Sequence, residues 1–181
     1  DKPIDWSASV WDLNSLEFLM QYDIPFIKIP SALITDIELL EECAKTQKQI
    51  IMSSGMSTLE EVDMAFNILS KSNIKPVVMH TNSSYPTPRK ELNLNLISFY
   101  KERYDCVIGY SGHESDLEPT VIAVSLGAKV IERHITLSHN MWGTDQKASL
   151  EVMGMDKLRK RSIDIKDMLG TDKKIVTDSE I

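Results

Sequence analysis

Two histidines carry the first chemical signal in this sequence. His113 and His134 each stand at the end of a strand-length run, and each shares a strand face with a polar residue two positions earlier, Ser111 and Glu132. Two imidazoles and a carboxylate that converge suit a divalent transition ion with positions left open for water and substrate oxygens. Manganese, iron or cobalt fits such a set better than a closed zinc site. A single strand-end histidine serves just as often as a hydrogen-bonded core or rim residue. A pair on consecutive units shifts the balance toward a ligand site. His80 closes another run and reads first as a packing residue, second as a further contributor; His139 falls in a loop and reads as solvated.

Hydroxyls form the second signal. The ends of successive runs bring Ser9, then Lys28 with Ser31, Ser53 with Ser54, Thr81 with Ser83, Ser111, and finally Glu132. Serine and threonine donate hydrogen bonds, Lys28 supplies positive charge, and a helix starting near Ser57 adds free amides, which together are the parts of a phosphate cradle. The plainer use of Ser53 to Ser57 is a turn and a helix cap. Residue type alone leaves the two readings level. Polar groups stacked at one end of buried strands cost desolvation unless a ligand or one another satisfies them.

The elements that position these groups follow from hydrophobic period. Short apolar runs at 4–10, 25–31, 49–55, 76–82, 106–112 and 129–137 predict six parallel strands. Between them SLEFLMQY, ITDIELLEECAKT, TLEEVDMAFNILSK, LNLISFYKERY and LEPTVIAVSLGA repeat apolar residues every three or four positions, as helices do. Alternation of this kind calls for a parallel sheet with crossover helices, whose ligands bind beyond the carboxyl ends of the strands. Capping boxes are expected at Thr35 to Glu38, Ser57 to Glu60 and Ser115 to Glu118, and Gly127 is expected to end a helix with positive φ. Trp6, Trp11, Trp142 and the methionines are expected to pack, and KLRKRSIDIK to form a solvated helix face.

Composition narrows the partners. With 20 basic against 27 acidic residues the net charge is −7, which disfavours a broad nucleic-acid or anionic-membrane surface. No apolar run approaches the ~20 residues that span a bilayer, and no signal segment opens the chain, so a cytoplasmic location is expected. Two distant cysteines, Cys43 and Cys106, read as packed thiols in a reducing compartment. The first residue is Asp1 rather than Met and a strand-like run follows at once, so a fragment or processed chain is expected.

Taken in order, KIPS, IIMSSGMSTLEEV, YPTP, IGYSGHE, LGAKVIERHITL and GTDQKASLE resemble the sialic acid synthase family, the phosphoenolpyruvate-dependent synthases of nine-carbon sugar acids. The likeness runs from about Ile4 to Leu158. It implies an α/β fold, a (β/α)₈ TIM barrel here incomplete, matching about strands three to eight. Residues 1–169 would form this partial catalytic domain, and 170–181 a tail leading toward a small antifreeze-like domain. The implied reaction condenses phosphoenolpyruvate with an N-acylated hexosamine, typically N-acetylmannosamine, and releases phosphate; the full-length enzyme would be a homodimer in which the second domain caps the partner's site.

By the same resemblance, Ser9, Lys28, Ser31, Ser53, Ser83 and Ser111 fall where the family grips phosphoenolpyruvate. His113 and His134 match its metal pair, usually manganese-loaded, Tyr85 and Asp145 meet the acceptor sugar, and Glu132 stands near the metal to position water. Two departures bear on this. Leu33 replaces an acidic residue that binds sugar hydroxyls in many members, which leaves a legionaminic- or pseudaminic-type product open, and Gly112 replaces a frequent aspartate before the metal histidine. A second class of reading is a non-catalytic partial barrel, since the isolated chain is expected to be inactive.

Overall fold

Strands in the computed structural model, which describes residues 4–181, are short and buried. Five of them, β1 (Phe26–Ile29), β2 (Gln49–Ser53), β3 (Val77–Thr81), β4 (Ile108–Gly112) and β5 (Val130–Arg133), form one parallel sheet in chain order. A helix follows each of the first four: α2 (Ile37–Lys45), α3 (Leu59–Leu69), α4 (Asn95–Arg103) and α5 (Glu118–Ser125), with α1 (Leu13–Leu19) ahead of β1. Strands added one after another, each with its own crossover helix, wind as a barrel winds. The architecture is α/β, an incomplete TIM barrel.

The reason is legible in the core. Ile27, Ile29, Ile50, Met52, Val78 and Ile108 are almost wholly removed from solvent and pack against Leu39, Leu40, Val62, Leu69 and Ile97 of the helices. β3 and β4 are buried along their whole length, as expected of strands covered on both faces. Register then levels the strand ends: Thr81 lies opposite Ser111, and Ser111 opposite Glu132.

Several expectations need correcting. The run at 4–10 is not a strand; only Ser9 bridges Lys28, through the Val10 amide bonding the Lys28 carbonyl at 3.1 Å. Polar Asp5, Ser7 and Ser9 alternate through that run, and Ser7 spends its hydroxyl on the Phe26 carbonyl at 2.5 Å, a side-chain contact in place of a ladder bond. The run at 129–137 divides at His134. Beyond it β6 (Ile135–Thr136) leaves the sheet and pairs with β7 (Leu150–Glu151) in a separate two-stranded sheet.

The helix caps also differ. Asp36, not Thr35, caps α2 by accepting from the Leu39 amide, and the box on α3 is Thr58 with Glu61, one residue later than expected. No box opens α5, because Ser115 donates instead to the Lys147 carbonyl at 3.0 Å and Pro119 in the first turn has no N–H to cap. A box formed by Asp12 and Ser15 opens α1. Gly127 does end α5, at φ 107°.

The tryptophans do not pack. Trp6, Trp11 and Trp142 are 52%, 59% and 99% exposed. Trp6 joins a surface aromatic row, edge-on to Tyr22, which in turn meets Phe18. The methionines divide: Met52 and Met79 are buried, whereas Met56, Met153 and Met168 face solvent. Cys43 is buried and Cys106 half-buried, both as free thiols pushed up by burial to about 12 and about 11. KLRKRSIDIK lies on α6 (Val152–Leu169), where Leu158 and Ile165 turn inward and charged neighbours such as Lys160 and Asp156 pair outside at 2.7 Å. No helix among the described residues is long and apolar enough to cross a membrane.

Candidate active site

At the carboxyl ends of β1 to β5 the sheet opens into a cavity of about 740 Å³. Its lining contains every residue that the sequence resemblance assigns to the site: Ser9, Lys28, Ser31, Ser53, Ser83, Tyr85, Ser111, His113, Glu132, His134 and Asp145. They divide into two sides. The lysine and all the hydroxyls but that of Ser111, which is on β4, come from β1 to β3 and the segments beside them. The imidazoles follow β4 and β5, with Tyr85, from the loop after β3, and Asp145 against them.

On the first side Lys28 is the centre. Its ammonium donates to Ser53 Oγ at 2.7 Å and lies 3.7 Å from Glu132 Oε1, to which Ser111 Oγ donates at 2.7 Å. A chain Ser53–Lys28–Glu132–Ser111 thus crosses the cavity floor. Burial pulls the lysine below its ordinary pKa and Glu132 partly offsets this, so the cation is poised to gain a second anion. Ser31 Oγ accepts from the Gly55 amide at 3.1 Å, which leaves its own proton free to donate. Thr81 Oγ1 is buried without a hydrogen-bond partner among the described residues, an orphan hydroxyl at the mouth of β3. Such a group is costly unless something polar meets it.

Gly55, within the segment IIMSSGMSTLEEV, carries no chemistry of its own, yet it sets the spacing of this side. A Cβ at that position would stand 2.2 Å from Ser83 Oγ and 2.9 Å from Ser31 Oγ. The two hydroxyls converge only because nothing occupies that space.

On the second side the rings of His113 and His134 meet edge to face, 5.2 Å between centroids. Tyr85 stacks on His113 at 4.0 Å and meets His134 edge-on at 5.4 Å. His113 Nδ1 lies 2.7 Å from the carbonyl of Asn82, an acceptor only, so Nδ1 carries the proton and Nε2 keeps its lone pair. Burial, reinforced by nearby His134, holds His113 below the ordinary imidazole range against the opposing Asn82 carbonyl, so the ring is neutral at pH 7. His134 Nδ1 lies 3.6 Å from Asp145 Oδ2. Burial first, then Asp145 and Glu132, raises the Tyr85 hydroxyl and keeps it a hydrogen-bond donor. An imidazole whose Nδ1–H is spent on a carbonyl and whose other nitrogen keeps a free electron pair is the form that metal-binding histidines take.

The carboxylate expected to join the imidazoles does not. Glu132 turns to Ser111 and Lys28, and among the described residues no three His, Cys, Asp or Glu side chains are grouped to hold a metal ion. His80 is a packing residue, bonded through Nε2 to the Leu92 carbonyl at 2.7 Å and lying between Tyr100 and Tyr110. His139 is exposed but bonded to the Ser149 carbonyl at 2.9 Å. Leu33 is half-buried against the core, while its neighbour Ala32 lines the cavity. Gly112 has a physical reason: a Cβ there would lie 2.5 Å and 2.9 Å from the carboxylate oxygens of Glu114, so an aspartate does not fit. Sequence reasoning misses Glu114 and Arg133, although charges flanking strands expected to be buried on both faces are a usable signal.

Comparison with known proteins places this arrangement. The NeuB family profile matches residues 1–174. An N,N'-diacetyllegionaminic acid synthase from Campylobacter jejuni is 36% identical over 180 residues, 98% of this chain and 54% of that protein. An N-acetylneuraminate-9-phosphate synthase from Drosophila melanogaster is 40% identical over 150 residues, 82% of this chain and 40% of that protein. The crystal structure of an N-acetylneuraminic acid synthetase from Leptospira borgpetersenii, in complex with citrate, superposes with a TM-score of 0.89 at 32% identity, covering 95% of this chain and 60% of that one. The chain therefore spans about half the length of the curated relatives it matches.

Proposed function

The chain belongs to the NeuB family, and on that premise we propose that it carries the catalytic basin of a transferase that condenses phosphoenolpyruvate with an N-acylated hexosamine, N-acetylmannosamine or a relative. The products are a nine-carbon 2-keto sugar acid and inorganic phosphate. One observation supports this above the others: a hydroxyl-and-lysine basin and a pair of imidazoles share a single cavity. The full-length enzyme works as a homodimer in the cytoplasm.

Lys28, Ser31, Ser53, Ser83 and Ser111 hold the phosphoryl and carboxylate oxygens of phosphoenolpyruvate, and preformed donors of this kind stabilise charge as it redistributes. Tyr85 and Asp145 orient the acceptor. His113 and His134 would hold a divalent ion, manganese by preference, which when bound polarises the sugar aldehyde as a Lewis acid. The third carbon of phosphoenolpyruvate attacks the aldehyde carbon, the aldehyde oxygen takes up a proton and becomes a hydroxyl, and the second carbon of phosphoenolpyruvate becomes an oxocarbenium. Glu132, tied to Ser111 and Lys28, takes a proton from the water that adds there. The tetrahedral adduct then expels phosphate with cleavage of its carbon–oxygen bond. Holding two substrates in one cavity supplies part of the acceleration.

Two observations favour a second reading within the same class, a diacetamido acceptor and a legionaminic-type product. The relative that is 36% identical is an N,N'-diacetyllegionaminic acid synthase, and Ala32, which lines the cavity where Leu33 turns to the core, has no hydrogen-bonding side chain. The test is phosphate release by the full chain from phosphoenolpyruvate and manganese with N-acetylmannosamine, bacillosamine-like diacetamido sugars or simple aldoses. Release with the first supports the primary reading and with the second the alternative. No release with any acceptor refutes both.

A further inference from the structure

On the outer face of the same two strand ends lies a pair of side chains that the proposed chemistry does not use. β4 and β5 run in register, with Ser111 opposite Glu132 and Gly112 opposite Arg133. Alternation sends Ser111, His113, Glu132 and His134 to the cavity, whereas the side chains of Glu114 and Arg133 make their polar contacts at the start of α5, although Arg133 also borders the cavity. There Arg133 Nη1 lies 2.9 Å from Glu114 Oε1, with both side chains 1% exposed. The same nitrogen donates to Thr120 Oγ1 at 2.9 Å and to the Asp116 carbonyl at 3.1 Å, while Nη2 donates to the backbone carbonyl of Glu114 itself. Tyr110 and Thr120 hydroxyls donate to the carboxylate at 2.9 Å and 2.8 Å. Gly112 leaves the room in which the carboxylate folds back over the strand.

Buried pairs of this kind seldom add stability over well-packed apolar side chains. What this one does add is a fixed distance. Arg133 is the residue before His134, Glu114 the residue after His113, and the guanidinium grips both the side chain and the backbone of Glu114. We propose that Glu114 and Arg133 are positioning residues that set the separation and tilt of the two imidazoles, and through them the affinity for a divalent ion. This rests on the reading of His113 and His134 as a metal pair. Lys28, Ser31, Ser53 and Ser83 stand away from the strut and only Ser111 lies beside it, so phosphoenolpyruvate binding should change far less than metal binding.

The test titrates Mn²⁺ into the full chain, following the electron-spin resonance of the free ion, for the wild type, Glu114→Gln and the double variant Glu114→Met with Arg133→Met. The double variant removes both charges together, so it does not strand one of them in the interior. It is expected to melt cooperatively, at a temperature lowered by the Tyr110 and Thr120 hydroxyls it leaves unpaired, and to bind Mn²⁺ about 10- to 100-fold more weakly, the usual cost of losing the outer supports of a metal ligand. The single variant should fall between, and KM for phosphoenolpyruvate should stay within about twofold in both. Wild-type Mn²⁺ affinity in the double variant overturns the inference, and so does its failure to fold, which would make the pair a support of the core rather than of the imidazoles. A wild-type protein that binds no Mn²⁺ overturns the metal reading first and this inference with it.

Discussion

Gly55→Ala separates the site from the scaffold more cleanly than removal of any polar group. The added methyl would stand 2.2 Å from Ser83 Oγ and 2.9 Å from Ser31 Oγ, with Thr81 Cγ2 at 3.2 Å. Gly55 does not have positive φ, so alanine meets no backbone strain there. The tightest contacts are hydroxyls that swing aside by rotating one torsion. The fold therefore gives way cheaply, at the low end of the ~1–3 kcal/mol that overpacking costs. The site does not, because the hydroxyls swing out of the positions that meet phosphate. Each hydrogen bond to a charged oxygen is worth about 1.5–3 kcal/mol. Losing both removes about 3–6 kcal/mol, roughly 10²- to 10⁴-fold in affinity at 1.4 kcal/mol per decade. The assay is phosphate release by the full chain against phosphoenolpyruvate concentration, alongside a thermal melt. A KM for phosphoenolpyruvate raised at least ~100-fold with a melting temperature lowered by only a few degrees is expected. An unchanged KM would show that Ser31 and Ser83 do not grip the substrate.

Further predictions concern single groups. His113→Ala or His134→Ala in the full chain should abolish metal-dependent phosphate release while the circular dichroism spectrum stays as it was; undiminished turnover removes the metal assignment. Lys28→Met should raise KM for phosphoenolpyruvate by about 10- to 100-fold, the worth of one charge-assisted bond, and leave acceptor KM within about threefold; an equal rise in both would mean the lysine supports the whole basin. His80 is held below its ordinary value of 6.5 by burial, opposed by the Leu92 carbonyl. Its folded pKa is depressed, so the stability it supports is present above 6.5 and is lost as pH falls toward the folded value. Melting temperature should decline from pH 7.5 to 5.5, and less steeply in His80→Gln; parallel slopes would assign the decline to other groups.

Much of this is legible from period and residue type. Alternating strand-like and helical runs dictate the winding. Hydroxyls, lysine and histidines at run ends locate the cavity, because a buried strand end tolerates polar groups only where a partner or a ligand meets them. The run at 4–10 misleads because apolar residues alternating with Ser7 and Ser9 have strand period whether or not a ladder forms, and only Ser9 finds a partner. Sharing a strand with His134 draws Glu132 toward the imidazoles on paper. The competing partner, Lys28, comes from four strands away and is visible only once the sheet curls. Gly55 and Gly112 act through space they leave empty, which no residue-type rule detects. Trp142 escapes its expected burial because side-chain size favours the interior, whereas an exposed loop imposes its own geometry.

The division of the chain at His134 has a consequence for change over time. Ile135 and Thr136 run beside Leu150 and Glu151, and the Leu150 amide bonds the His134 carbonyl at 2.8 Å, so the segment from 137 to 149 leaves and returns at one point. It is a handle fastened at both feet and tied again where Ser115 donates to the Lys147 carbonyl, with Asp145 beside His134 on its span. Residues inserted or trimmed ahead of Asp145 would fall on the exposed stretch from 139 to 144, away from the ring at its base. If Asp145 meets the acceptor as proposed, editing the handle would shift sugar preference while the imidazole beneath it keeps its place.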